Sequence, residues 1–92
     1  MTSGPSGTSF YTGEGDPQAF QAYNDGNYFL KQSKYDQAIP YFTEAIQREP
    51  GYWEAHVGRA DAYRFLGRND LALRDYNEGV RLRPNNPLLT LA

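Results

Sequence analysis

The sequence predicts an all-α chain, two helix-turn-helix units stacked as a solenoid and followed by a short C-terminal segment. Three observations carry that expectation. Sliding the 92-residue chain by 34 positions lays Asp36 on Asp70, Ala38 on Ala72, Phe42 on Tyr76, Glu44 on Glu78 and Pro50 on Pro84. Within each unit, small and bulky apolar residues recur every three or four positions, the period of one helix face. Pro50-Gly51 and Gly67 supply the breaks between the helices. A fixed period of this kind means that each unit buries its apolar face against the next, which directs attention to a surface instead of a catalytic pocket.

Residues 1–15 are rich in Gly, Ser and Thr, hold only Phe10 and Tyr11 as sizeable apolar groups and lack periodicity, so a flexible leader is expected. Order begins at Asp16-Pro17, where the Asp can accept from free backbone amides and the Pro gives up no needed donor. The first helix should run to Lys31 or Gln32, with Ala19, Ala22, Gly26 and Phe29 facing the second. Ser33 to Tyr35 forms the turn. The second helix is expected from Asp36 to Glu49, with Ala38, Ile39, Phe42, Ala45 and Ile46 on its inner face. Pro40 is read as part of its first turn, where a missing amide has no intrahelical partner. A third helix follows from Tyr52 to Leu66 and stops at Gly67 in the left-handed conformation. Asn69 or Asp70 should cap the fourth, which runs from Asp70 to Leu82 and turns Ala72, Leu73, Tyr76, Gly79 and Val80 inward. Arg81 and Arg83 suit its carbonyl end.

Gly26, Phe29, Ala38, Phe42, Ala45 and Pro50 in the first unit, and Ala60, Tyr63, Ala72, Tyr76, Gly79 and Pro84 in the second, form one pattern. It resembles the tetratricopeptide repeat (TPR): a small residue, an aromatic three later, then Ala, an aromatic four later, a small residue and a closing Pro. The resemblance implies a right-handed α-solenoid occupying residues 16–92, with repeats at about 19–52 and 53–86 and a partial third repeat or cap at 87–92. Two positions depart in each unit. Ala22 and His56 stand where the family has a bulky aromatic, and Asp25 and Arg59 where it has Leu, which should weaken the packing of each first helix.

Composition removes several function classes. Without cysteine there is no disulfide framework and no Cys-containing zinc site, and a net charge of −2 gives no basic field for nucleic acid or anionic membrane. No stretch approaches a membrane span and the N-terminus lacks a signal-peptide order, so a soluble, cytoplasmic protein is expected. His56 is the sole histidine and has no acid three or four residues away, so it is read as a helix–helix contact, not as a metal ligand. Acid pairs such as Asp70 with Asp75 and Glu44 with Glu49 are read as solvated helix faces. No nucleophile elbow, P-loop or dinucleotide fingerprint appears. Neither enzymatic activity, cofactor nor metal is expected.

The TPR resemblance implies that the first helix of each unit lines a concave groove for a peptide or partner helix. Carried over by position, Phe20, Tyr23, Asn24, Asn27, Leu30 and Lys31 line it from the first unit. Glu54, Val57, Gly58, Asp61, Arg64 and Phe65 do so from the second. One subset of the family grips the C-terminal carboxylate of heat-shock chaperones with Lys and Asn residues. Of that set only Asn27 is present, Tyr23 replacing a Lys and Gly58 an Asn, so any ligand is expected to bind through mixed contacts. The expected function is a non-catalytic protein–protein interaction module of adaptor, scaffold or co-chaperone type. The alternative is a structural module that homo-oligomerises through Leu88, Leu89 and Leu91 at the incomplete end.

Overall fold

The computed structural model describes residues 15–83. Their helices are α1 (Pro17–Lys31), α2 (Tyr35–Arg48), α3 (Trp53–Phe65) and α4 (Asn69–Leu82), with no strand among the described residues. The protein is all-α, as expected. The leader through residue 14 and the C-terminal segment with Leu88, Leu89 and Leu91 lie outside the described residues.

Helix α1 starts as its sequence dictates. Asp16 Oδ1 accepts from the Gln18 amide at 2.8 Å, and Pro17 takes the first helical position. The Asp16 amide donates in turn to Glu49 Oε1 at 2.8 Å, fastening the start of α1 to the end of α2.

The two intra-hairpin turns share one construction. After α1, the Ser33 amide donates to the Leu30 carbonyl and the Lys34 amide to that of Phe29. After α3, the Gly67 amide donates to Arg64 and the Arg68 amide to Tyr63. Both are Schellman closures, whose first residue past the cap must be left-handed. Gly67 occupies that position with φ +81°, and Ser33, one period earlier, does so with φ +63°. A Cβ is disfavoured there, so Ser33→Gly should stabilise the protein by about 0.5–1 kcal/mol, read as a rise of several degrees in Tm. An unchanged or lower Tm would contradict this account of the turn.

The same closures displace the expected caps. Lys34 and Arg68 hold the N-cap positions of α2 and α4 without a side-chain hydrogen bond, and each carbonyl already accepts the first bond of the following helix. Asn69 is therefore the first residue of α4, not its cap, and Asp36 and Asp70 favour the helix start by charge. Because α2 begins at Tyr35, Pro40 falls inside the helix instead of in its first turn. Its ring removes the bond to the Asp36 carbonyl, on an exposed side where water can serve that group.

Helix α2 packs between α1 and α3, and α4 packs on α3. The centre is Phe42, fully buried. Its ring lies between Gly26 of α1 and Gly58 of α3: a Cβ at the first would come within 2.8 Å of the ring and at the second within 2.6 Å. Buried alanines, among them Ala22, Ala38, Ala45 and Ala55, allow the helices this approach. The inner face of α2 is as expected, with Ala38, Phe42 and Ala45 buried and Ile39 and Ile46 half-buried.

Helix α4 differs from the expectation. Ala72 and Gly79 are buried, yet Leu73 is 60% exposed and Val80 is exposed, while Asp75 is 5% exposed. The reason is positional, since α2 has α3 on its far side whereas no described helix packs beyond α4.

Candidate functional site

Helices α1 and α3 form the walls of an open cavity of about 220 Å³. Tyr23, Asn27 and Leu30 line it from α1, at the four- and three-residue steps that keep one helix face together. Trp53, Glu54, Val57, Gly58 and Asp61 line it from α3. Tyr23 is anchored by the core beneath it, its ring centroid 5.9 Å from that of Phe42 and 5.1 Å from that of Tyr52.

Of the residues assigned to a groove from sequence, Tyr23, Asn27, Leu30, Glu54, Val57, Gly58 and Asp61 are thus brought together. Phe20, Asn24, Lys31, Arg64 and Phe65 do not line this cavity. Phe65 stacks on Tyr35 across the hairpin turns with centroids 4.7 Å apart and planes at 15°, and the Arg64 guanidinium lies 4.4 Å above its ring. Asn24 and Lys31 are exposed elsewhere on α1. Trp53 was not expected in the lining, although its place four residues before Val57 puts it on the same stripe. The Arg83 guanidinium lies 5.4 Å over its ring.

The two charged groups of the lining, Glu54 and Asp61, are both carboxylates. Asp61 accepts from the Tyr76 hydroxyl and lies 3.7 Å from Arg64. Glu54 is half-buried in the first turn of α3 and has no cation within ion-pair distance among the described residues. Burial, reinforced by the charge of Glu54 and then by Tyr23 and Glu49, pushes the Tyr52 hydroxyl up to about 12.

A family model for the tetratricopeptide repeat matches residues 23–87. The chain belongs to the tetratricopeptide repeat family. It is 39% identical over 70 residues to Hsp70-Hsp90 organizing protein 1 of Glycine max, covering 75% of this chain and 12% of that protein. It is 32% identical over 68 residues to the tetratricopeptide repeat and J domain-containing co-chaperone DNJ1 of Cryptococcus neoformans, covering 74% and 13% respectively. The chloroplastic tetratricopeptide repeat domain-containing protein PYG7 of Arabidopsis thaliana is 35% identical over 75 residues, covering 79% of this chain and 25% of its own length. The chain therefore spans only a small part of each of these relatives.

The two departures of the second TPR unit, His56 and Arg59, meet at one carboxylate, that of Asp75. His56 Nδ1 lies 3.1 Å from Asp75 Oδ1, and the Arg59 guanidinium grips Asp75 with two bonds of 2.7 and 2.9 Å. Arg59 Nη1 donates to Thr43 Oγ1 at 3.1 Å, so one network, centred on the buried Asp75, joins α2, α3 and α4. The hydrogen bond to Asp75, working against burial, raises the Arg59 pKa above its ordinary value. His56 is the inter-helix contact expected, while Asp75 is no solvated residue: the bidentate pair satisfies a carboxylate that burial would otherwise penalise. Its placement was readable, because Ala72, Asp75, Tyr76 and Gly79 follow one helical stripe.

Among the described residues no group of three or more His, Cys, Asp or Glu side chains could hold a metal ion, and no helix is long and apolar enough to cross a membrane. In this TPR unit Gly58 is a packing residue. An Asn in its place would bring a Cβ within 2.6 Å of the Phe42 ring, so the Asn that the carboxylate-gripping subset carries here does not fit without a shift of the core.

Proposed function

We propose that the cavity between α1 and α3 is the docking groove of a non-catalytic protein-interaction module, which takes a peptide or helix from a partner protein. The observation that carries this reading is the convergence of Tyr23, Leu30, Trp53 and Val57 with Asn27, Glu54 and Asp61 on one concave face. Apolar anchors beside a few polar groups are the anatomy of a recognition surface. The organizing-protein and co-chaperone relatives support an adaptor, scaffold or co-chaperone setting. We carry the repeat boundaries, about 19–52 and 53–86, into this proposal as the units that build the groove. Backbone amide shifts test it: partner segments should perturb Tyr23, Asn27, Val57 and Asp61, whereas perturbations confined to α4 would refute it.

The second reading, self-association, is favoured by one observation, the 60% exposure of Leu73 on the outer face of α4. A sedimentation measurement that finds only monomer at high micromolar concentration removes it.

A further inference from the structure

We infer that the occupant of the groove presents a lysine or arginine side chain to Glu54 and Asp61, so that the partner segment is basic and amphipathic. This rests on the groove reading and sharpens it to a ligand chemistry.

Charge complementarity carries the argument. No Lys or Arg is among the residues lining the cavity, and its two charged groups, Glu54 and Asp61, are both carboxylates. Asp61 is partly satisfied by Tyr76 and Arg64 at the rim, whereas Glu54 has no counter-ion among the described residues. The negative field is felt nearby, since the charges of Glu54 and Glu49 add to burial in making Tyr52 harder to ionise. An acidic segment entering here would meet like charge; a cation would meet an unused carboxylate in a half-buried setting, where pairing is worth more than in open water.

The acids matter because of what surrounds them. Tyr23, Leu30, Trp53 and Val57 form apolar walls along which the methylene stem of Lys or Arg can lie, with the charged head carried to the carboxylates. Trp53 already carries one guanidinium, that of Arg83 at 5.4 Å over its ring, so the pairing left for the occupant is with the carboxylates. A volume of about 220 Å³ is below that of a usual small-molecule site and suits one long side chain from a docked segment.

Trp53 is the sole tryptophan and lines the cavity, so its emission reports occupancy directly. The probes are four pools of acetylated, amidated nonapeptides with a central Arg, Lys, Leu or Glu and otherwise random Ala, Leu, Ser and Tyr. Titrations at physiological salt are paired with amide shifts of Asn27 and Gly58. The Arg and Lys pools should bind about fivefold more tightly than the Leu pool, and the Glu pool most weakly. Glu54→Gln should bring the Arg and Lys pools down towards the affinity of the Leu pool, and Glu54→Lys should turn the preference towards Glu, both variants keeping wild-type helicity by circular dichroism. Leu or Glu pools that bind in the groove as well as Arg, indifferent to both variants, would overturn the cation inference and leave the groove standing. If no pool moves Asn27, Gly58 or Trp53, both readings fall.

Discussion

Replacing Asp75 by alanine is expected to lower stability by about 3–5 kcal/mol, measured as the urea midpoint shift at constant slope. The side chain is almost wholly buried and is the common acceptor for Arg59 and His56. Its removal leaves a guanidinium enclosed without its carboxylate and breaks the link that runs from α4 through α3 to Thr43 of α2. The opposing arrangement is informative. His56→Phe, Arg59→Leu and Asp75→Leu together replace the whole network with apolar groups, and such exchanges are commonly neutral or stabilising. The single variant should therefore be much less stable than the triple. Glu44→Ala is the comparison for an exposed pair, since Glu44 and Arg48 are both solvated and contribute a few tenths of a kcal/mol. An Asp75→Ala variant no less stable than Glu44→Ala would contradict the network.

The second large effect concerns Gly58. Alanine at this position places a Cβ 2.6 Å from Cε1 and Cζ of Phe42, inside van der Waals contact, and the ring is fully buried with Gly26 so near that a Cβ there would also come within 2.8 Å of it. Gly58→Ala is expected to cost about 2–3 kcal/mol despite the better helix propensity of Ala. Shortening the ring should relieve the clash. Phe42→Leu alone creates a void and is destabilising, so the double variant should lose less than the two single losses combined, a coupling visible in a double-mutant cycle. Strict additivity would mean that the glycine and the ring do not meet.

Why the sequence revealed the architecture so readily, and the site less so, follows from what each depends on. Phe42 and the small residues around it recur at a period set by stacking, and a repeated framework announces itself twice. The turn after α1 could also be read, although its Ser33 hides a left-handed position that Gly67 makes obvious one period later. The face of α4 misled because period-mates need not share environments: Ile39 is half-buried on α2, which has α3 on its far side, whereas Leu73 lies on α4, beyond which no described helix packs. Asp75 was passed over because an acid on a helix is usually solvated, and only the positions of His56 and Arg59 one turn apart on α3 reveal why it can be buried.

The groove positions could be carried over by resemblance, yet half of the inference depended on rotation. Tyr23, Asn27 and Leu30 share a stripe, while Asn24 and Lys31 are turned out of it. At the far end of α3, Arg64 and Phe65 are occupied by Tyr76 and Tyr35. Trp53 and Glu54 enter the lining because α3 begins at Trp53 and turns its first residues towards α1.

The central claim is that α1 and α3, not the outer face of α4, receive a partner. Amide chemical-shift mapping on the labelled chain with the peptide pools decides between them most directly. The predicted result is a contiguous set of shifts at Tyr23, Asn27, Val57, Gly58 and Asp61 with Leu73 unmoved; shifts at Leu73 and Asn77 with the cavity residues unmoved would contradict it.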